Sequence, residues 1–360
     1  MRNNIYYWKC DSPHSAQEKR NSFFKDKYDR ADLADAVRTA SRSAFRGDPV
    51  EASPLRVDGN HFAFLVTHGG QKYFFRADDG EGDDDYMLAE STLMQLAAES
   101  GVPVPKVFHT DVSCTISPLR FQIMECRHEP CLDVHHKSGS LNLTAVGMQL
   151  GTYLRRVHSV RLDGFGFIDT ELLSRTGILR GLDPGYADYF HKRLGDHLNY
   201  LRQHDLLSPV DTMEVERLFQ RHASRLHLAN GVLTHRDMAL WNVLGTPDCV
   251  TAIIDWDDAV SGDPADDLGV LRCFYDDDFI GPILKGYWGG ESSSYDFECR
   301  IWLHMLRNMV WKTMLRHALG YFDKGTDFFV NTSATRKPLR EATLERLNAA
   351  LEKVRGLELP

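Results

Sequence analysis

Residues 234–244 read THRDMALWNVL. Most of the stretch is apolar enough for a protein core, yet it holds Asp237 and, five positions on, Asn242. Thirteen residues further, the short apolar run Thr251, Ala252, Ile253, Ile254 ends in Asp255. A run of that length bounded by charge has the shape of a buried strand that delivers its last residue to a site. A small hairpin over 243–254 would set Asn242 and Asp255 together beside Asp237.

The rest of the chain bounds what such a cluster serves. Its 360 residues suffice for one large domain or two lobes. Hydrophobic residues make up 42% and charged residues 26%, as in an ordinary globular protein. A net charge of -9 argues against nucleic acid as a partner, because phosphate backbones need a basic surface. No run of eighteen apolar residues predicts a membrane span, and the first twenty residues lack a secretory pattern. Seven scattered cysteines suit reduced thiols in a cytoplasm. Cys126, Cys131, His135 and His136 cluster in sequence, but their spacing matches no zinc pattern and reads as an incidental linker.

Periodicity divides the chain. Residues 29–46, DRADLADAVRTASRSAFR, place Leu33, Val37, Ala40 and Ala44 at helical spacing with Gly47 as a cap, an N-terminal helical extension within 1–47. HFAFLVTH and KYFFRAD flank Gly69 and Gly70 as a β-hairpin. YMLAESTLMQLAAES predicts a helix ended by Gly101, and two further strands follow in GVPVPKVFHT and LRFQIMEC. Strand, strand, helix, strand, strand makes a small sheet lobe over 48–126. Helical patterns then dominate a larger lobe over 127–360: LNLTAVGMQLGTYLRRVHSV, YADYFHKRLGDHLNYLRQH, VERLFQRHASRLHLA and the apolar FECRIWLHMLRNMVWKTMLRHAL.

Transfer of a phosphoryl group needs a carboxylate at the attacking hydroxyl, two oxygen ligands for magnesium, a cation on the phosphates and a carboxylate to hold that cation. His235, Arg236, Asp237 and then Asn242 follow the H-R-D-x-x-x-x-N spacing, with Asp255 as the second aspartate. Here a resemblance becomes specific. IDWDDAVSGDPADDLG over 254–269 resembles the magnesium loop of the aminoglycoside phosphotransferase and choline kinase superfamily. LGTYLRRVHSVRLDGFGF resembles that family's helix ending in V-H before a G-F-G turn, and GVPVPKV its V-P-V-P strand. The resemblance spans roughly 50–330, three motifs in order. It implies an α+β, bilobal protein-kinase-like fold, with a small antiparallel-sheet N-lobe and a larger, mostly helical C-lobe.

By that resemblance Asp237 is the catalytic base, and Asn242 and Asp255 ligate magnesium. Arg76 binds the phosphates of ATP or GTP and pairs with Glu90; Lys72, four residues earlier on the same strand face, competes for the role. Gly59 and Asn60 sit in the loop over the phosphates, and the backbone of Met124 to Cys126 forms the hinge that reads the base. His235 braces its loop, Asp263 and Asp267 fix the loop and helix that follow, and Trp241 and Trp256 pack. Arg236 stands where the family often has glycine.

Nine aspartates lie between 251 and 280 against a single arginine. Asp257, Asp258 and Asp276 are the candidates for an acidic wall that attracts a cationic acceptor. The expected activity is phosphorylation of a small-molecule hydroxyl, an antibiotic such as an aminoglycoside first. A housekeeping kinase of choline, a sugar or an amino acid is the alternative, and a nucleotide-binding pseudokinase scaffold the third. The expected form is a cytoplasmic monomer or homodimer.

Overall fold

The computed structural model of the protein describes residues 28, 32–47, 50–55, 61–78, 85–332 and 337–358. Gly59 and Asn60 lie outside them. Helix α1 (Leu33–Phe45) precedes strands β1 (Val50–Pro54), β2 (Phe62–His68) and β3 (Gln71–Asp78), helix α2 (Met87–Glu99), and strands β4 (Val107–Asp111) and β5 (Arg120–Glu125). The five strands form one antiparallel sheet in the order β1-β2-β3-β5-β4. Gly69 and Gly70 make the β2–β3 turn with φ of 58° and 79°. Two successive positive φ values match the twist of a hairpin and suit glycine. The edge strand β1, VEASP, alternates Val50, Ala52 and Pro54 with Glu51 and Ser53, but five residues with alanine at the centre and proline at the end make a weak strand signal.

The sheet buries both faces. On one, Leu33, Val37 and Ala40 of α1 pack against Phe62, Phe64, Val66, Phe75 and Phe121. Helix α1 is thus a cover for the sheet. It ends at Arg46, which takes the left-handed cap (φ 55°) expected of Gly47. On the other face, α2 turns Ala89, Leu93 and Ala97 into a core that continues into the rest of the molecule. The Tyr86 hydroxyl stitches the two parts, donating to the Ala259 carbonyl at 2.6 Å and accepting from the Ile168 amide at 3.2 Å.

Beyond residue 126 the helices are α3 (Leu132–Lys137), α4 (Leu143–Val157), α5 (Thr170–Thr176), α6 (Tyr186–His191), α7 (Leu194–Gln203), α8 (Pro209–Arg221), α9 (Pro264–Arg272), α10 (Asp277–Trp288), α11 (Tyr295–Ala318) and α12 (Leu339–Arg355). Arg193, at φ 59°, splits the single helix expected over YADYFHKRLGDHLNYLRQH into α6 and α7. Between helices run β6 (Arg161–Leu162), β7 (Phe165–Ile168), β8 (Gly181–Asp183), β9 (Gly231–Thr234), β10 (Val243–Thr246), β11 (Cys249–Ile253) and β12 (Val260–Gly262). β10 and β11 form the small hairpin, and β6-β9-β12-β7-β8 a second sheet. Helices α4 and α10 cross at backbone contact. A Cβ on Gly151 would collide with the Ile283 carbonyl, and one on Gly286 with the Met148 carbonyl. Among the described residues no helix is long and apolar enough to cross a membrane.

His197 on α7 is 2% exposed. Burial, with the charges of Arg307 and Arg193, pulls its imidazole from 6.5 down to about 2. The folded state therefore holds it neutral while the unfolded chain protonates it below pH 6.5. Its contribution is complete above that pH and is lost as the pH falls. Going from pH 7 to pH 5 should cost the wild type about 2 kcal/mol more than His197→Gln. Urea unfolding of both proteins at the two pH values checks this, and equal pH sensitivity would refute it.

Candidate active site

The site is assembled where β9 ends and β11 ends. Paired antiparallel strands β9 and β12 hold the two loops together, with Val260 opposite Thr234. After β9 the chain turns through His235, Arg236 and Asp237. Asp267, buried on α9, anchors that turn by accepting from the amides of His235 (2.9 Å) and Arg236 (2.7 Å) and from His158 Nε2 (3.0 Å). His158 follows α4, so the V-H segment and the G-D-P-x-x-D-L segment meet at one carboxylate.

His235 donates from Nε2 to the Ile254 carbonyl at 2.9 Å. Its Nδ1 then carries the lone pair that accepts from the Asp237 amide at 3.3 Å. The imidazole therefore braces the Asp237 turn against the residue before Asp255. Beside it, the Ile254 amide donates to the Asn242 carbonyl at 2.9 Å. Asn242 is 5% exposed and donates from Nδ2 to the Asp237 carbonyl (2.9 Å) and to Asp237 Oδ2 (3.0 Å). Its Oδ1 is left as an acceptor. Trp256 is buried, with its indole N–H on the Ile253 carbonyl at 3.0 Å.

Two residues of the site hold left-handed backbone, Arg236 at φ 71° and Asp255 at φ 64°. A non-glycine residue there costs about 1 kcal/mol or more, and persists where its surroundings dictate it. At Arg236 the compensation is visible. Its buried guanidinium forms an ion pair with Asp266 and contacts Asn308 Oδ1 at 3.5 Å, while Asn308 Nδ2 donates to Asp266 Oδ1 at 2.9 Å. Arg236→Gly would relieve the backbone by about 1 kcal/mol but strand Asp266 without its cation, a loss of about 3–5 kcal/mol. A net destabilisation of about 2–4 kcal/mol is expected, with Asp266→Asn in the same chain restoring over half. Denaturant melts of the single and double variants read the difference; an unchanged or more stable single variant would contradict it.

Arg76 on β3 is 8% exposed and forms an ion pair with Glu90 of α2. It also donates to Gln122 Oε1 at 2.9 Å and approaches Asp255 Oδ1 at 3.5 Å. Asp255 keeps 45% of its side chain exposed. Lys72, the competitor on that strand, is exposed at the hairpin end. Asp237, Asn242, Asp255, Arg76 and Glu90 therefore form one connected set. Met124 lies buried on β5 with Cys126 just beyond it, beside the same sheet. Burial pushes the Cys126 thiol up, partly offset by Lys72.

The expected acidic wall does not form. Asp257 and Asp258 are buried at 8% and 6% exposure, and Asp257 faces His61 Nε2 at 3.7 Å, on the sheet side. Asp276 stands just before α10 without a side-chain capping bond and pairs with Arg346 Nη2 at 2.8 Å. Among the described residues no three His, Cys, Asp or Glu side chains converge as metal ligands. One carboxylate at Asp255 and the amide oxygen of Asn242 nevertheless fit magnesium, which takes hard oxygens, keeps waters and shares phosphate oxygens.

Pattern reading missed Lys312. Helix α11 is buried almost throughout, as its sequence predicts, but carries His304, Asn308, Lys312 and Arg316 every fourth residue, all at most 7% exposed. His304 Nε2 donates to Asp263 at 2.9 Å, Asn308 holds Asp266, and Lys312 Nζ lies 3.9 Å from Asp237 Oδ1. Burial pulls the Lys312 ammonium below its usual value while Asp237 pushes it back up. Phe274 and Trp311 sit at 4.7 and 5.2 Å from it. Polar residues four apart in an otherwise apolar helix were the signal available.

A sequence model of the phosphotransferase enzyme family matches residues 52–300. A search of curated protein sequences finds no match. Among solved structures, a thermostable variant of aminoglycoside phosphotransferase APH(4)-Ia, in ternary complex with AMP-PNP and hygromycin B, superposes with a TM-score of 0.59 at 18% identity, covering 89% of this chain and 99% of its own. A choline/ethanolamine kinase family protein from Mesorhizobium loti gives 0.53 at 17% identity, covering 92% and 99%. The chain shares their kinase-like fold.

Proposed function

The chain belongs to the phosphotransferase enzyme family, and on that premise we propose that it moves the γ-phosphate of ATP or GTP to a hydroxyl of a small molecule. The observation that carries this reading is the convergence of Asp237, Asn242 and Asp255, with Arg76 reaching from the sheet to Asp255. The acceptor hydroxyl is oriented by Asp237, whose carboxylate takes its proton as the new O–P bond forms. Asn242 steers that carboxylate through Nδ2, and its Oδ1 together with the Asp255 carboxylate would hold magnesium. The ion held there would supply positive charge against the nucleotide phosphates. The Arg76 fork binds phosphate oxygens and is kept in place by Glu90 and Gln122. Lys312 fixes the second oxygen of Asp237 from behind. The Met124–Cys126 backbone takes the base. Catalysis of this kind rests on positioning and fixed charge.

The acceptor reading is an antibiotic or a metabolite hydroxyl. Hygromycin B in the APH(4)-Ia complex supports the first, and the choline/ethanolamine kinase relative the second. The buried Asp257 and Asp258 withdraw the charge argument for a polycation. The test is nucleoside-diphosphate release with magnesium and ATP or GTP over aminoglycosides, other antibiotics, choline, sugars and hydroxy amino acids. Mass spectrometry identifies the phosphorylated product, and Asp237→Asn is the blank. A product formed by the wild type alone fixes reaction and acceptor together. Failure to bind magnesium nucleotide at all would overturn the reading.

A further inference from the structure

A cavity of about 330 Å³ opens between the end of α9, the start of α10, and helices α11 and α12. It has the size of a small-ligand site. Among the described residues its charged lining is Arg316, Arg346, Lys337, Asp276 and Glu345, with Cys273 at its side. Most of that charge is internally matched. Arg346 pairs with Asp276 at 2.8 Å, and Lys337 with Glu345 at 2.6 Å. Burial pushes the Cys273 thiol up to about 11, so it supplies no negative charge.

Arg316 is the exception. It is 6% exposed, and its hydrogen bond is one from Nη1 to the neutral Thr343 hydroxyl at 2.7 Å. No carboxylate among the described residues lies within salt-bridge distance of it. Among the described residues no hydrogen-bond partner stands against its Nε or Nη2, and the residue lines the cavity. Burial, with Arg346 nearby, pulls the guanidinium down to about 10, against the opposing influence of Cys273. A buried cation without a counter-charge is costly, and a fork of unpartnered N–H groups matches the geometry of a carboxylate or phosphate.

We propose that this cavity is a binding pocket for an anionic group, a carboxylate or a phosphate, with Arg316 as its charged ligand. The pocket is close to the chemistry. Arg316 and Lys312 are one turn apart on α11, about 6 Å along the axis, and both lie over the Phe274 ring, at 5.7 and 4.7 Å. Phe274 in turn packs edge-on against Trp241 of the Asp237 loop, at 4.7 Å. The anionic group is carried by the acceptor itself or by a separate small anion, and these two sources differ in kinetics.

The test uses the full chain saturated with magnesium and AMP-PNP, so that phosphate subsites for the nucleotide are filled. Inorganic phosphate or succinate at about 20 mM, against chloride at equal ionic strength, should raise the wild-type melting temperature by about 2 °C or more. Arg316→Met should lose that shift while melting no lower than the wild type without anion, since it removes an uncompensated buried charge. Arg316→Lys, which keeps charge but not the fork, should retain part of it. Once an acceptor is in hand, anions that raise its KM place the group on the acceptor, and anions that change kcat alone mark a separate effector. Equal shifts in wild type and Arg316→Met, or none in either, would overturn the proposal. A chain that fails to bind nucleotide would undo the kinase reading and leave this comparison intact.

Discussion

Asp237→Asn is expected to lower turnover by about 10²–10⁴-fold while the protein keeps its melting temperature within a few degrees. The substitution is nearly isosteric. The new amide oxygen still accepts from Asn242 Nδ2, which holds the side chain at 3.0 Å in the wild type, so the loop keeps its shape. What disappears is the negative charge that, in the proposed function, takes the hydroxyl proton. Lys312→Met separates positioning from proton transfer. It removes a cation 3.9 Å from Asp237 that is otherwise packed on Phe274 and Trp311. Stability should hold or rise, because a desolvated ammonium is lost, while turnover falls by about tenfold as Asp237 loses one of its two anchors. Steady-state kinetics with thermal melts on the same samples decide both. Asp237→Asn retaining more than about a tenth of wild-type turnover would remove it as the base.

Asp267→Ala should cost about 3–5 kcal/mol of stability and take activity with it. The side chain is fully buried and accepts three hydrogen bonds, from two consecutive amides of the Asp237 turn and from His158. Its loss leaves the amides of His235 and Arg236 and the His158 ring without their acceptor. The acid limb follows from the same contacts. Burial alone would raise the Asp267 carboxyl, but the His158 bond and charge, His235 and its amide outweigh it, and the net shift is downward. Asp263 is likewise raised by burial and lowered further by His304, Arg300 and the Ala265 amide. Depressed carboxyls add stability above the unfolded value of 3.8 and lose it as pH falls through their folded values. Wild-type stability should therefore drop below about pH 4, with a shallower limb in Asp267→Ala. A loss under 1 kcal/mol at pH 7 would show that the turn holds without its anchor.

Much of this site was legible before any coordinates. Asp237, Asn242 and Asp255 could be placed together because a short hairpin has few ways to run, and β10–β11 brings them to adjacent backbone hydrogen bonds. The Arg76–Glu90 pair is what the family resemblance implies, since strand alternation by itself leaves Lys72 open on the same face. Arg236 stands out in the sequence, but its left-handed φ and its partner Asp266 are both tertiary facts. Strand β1 is hard to read from sequence because its alternation lasts only five residues and ends in Pro54. Helix α12, LREATLERLNAALEKVR, was passed over although Leu347, Leu351 and Val354 mark a buried face.

The chain by itself determined the local order: which segments are strands and helices, and the fixed intervals that tie one aspartate to the next. Those are properties of backbone periodicity and loop length, which depend on near neighbours. Only the tertiary structure decided what each charge is worth. In sequence Lys312 and Arg316 are equivalent basic residues of one helix, and Asp257 and Asp276 equivalent members of an acidic run. Folding puts one cation against Asp237 and the other against a cavity, buries Asp257 and pairs Asp276 with Arg346. The energy of a charge depends on its distance to other charges and on how much water remains around it, and both are set by residues far away in the chain.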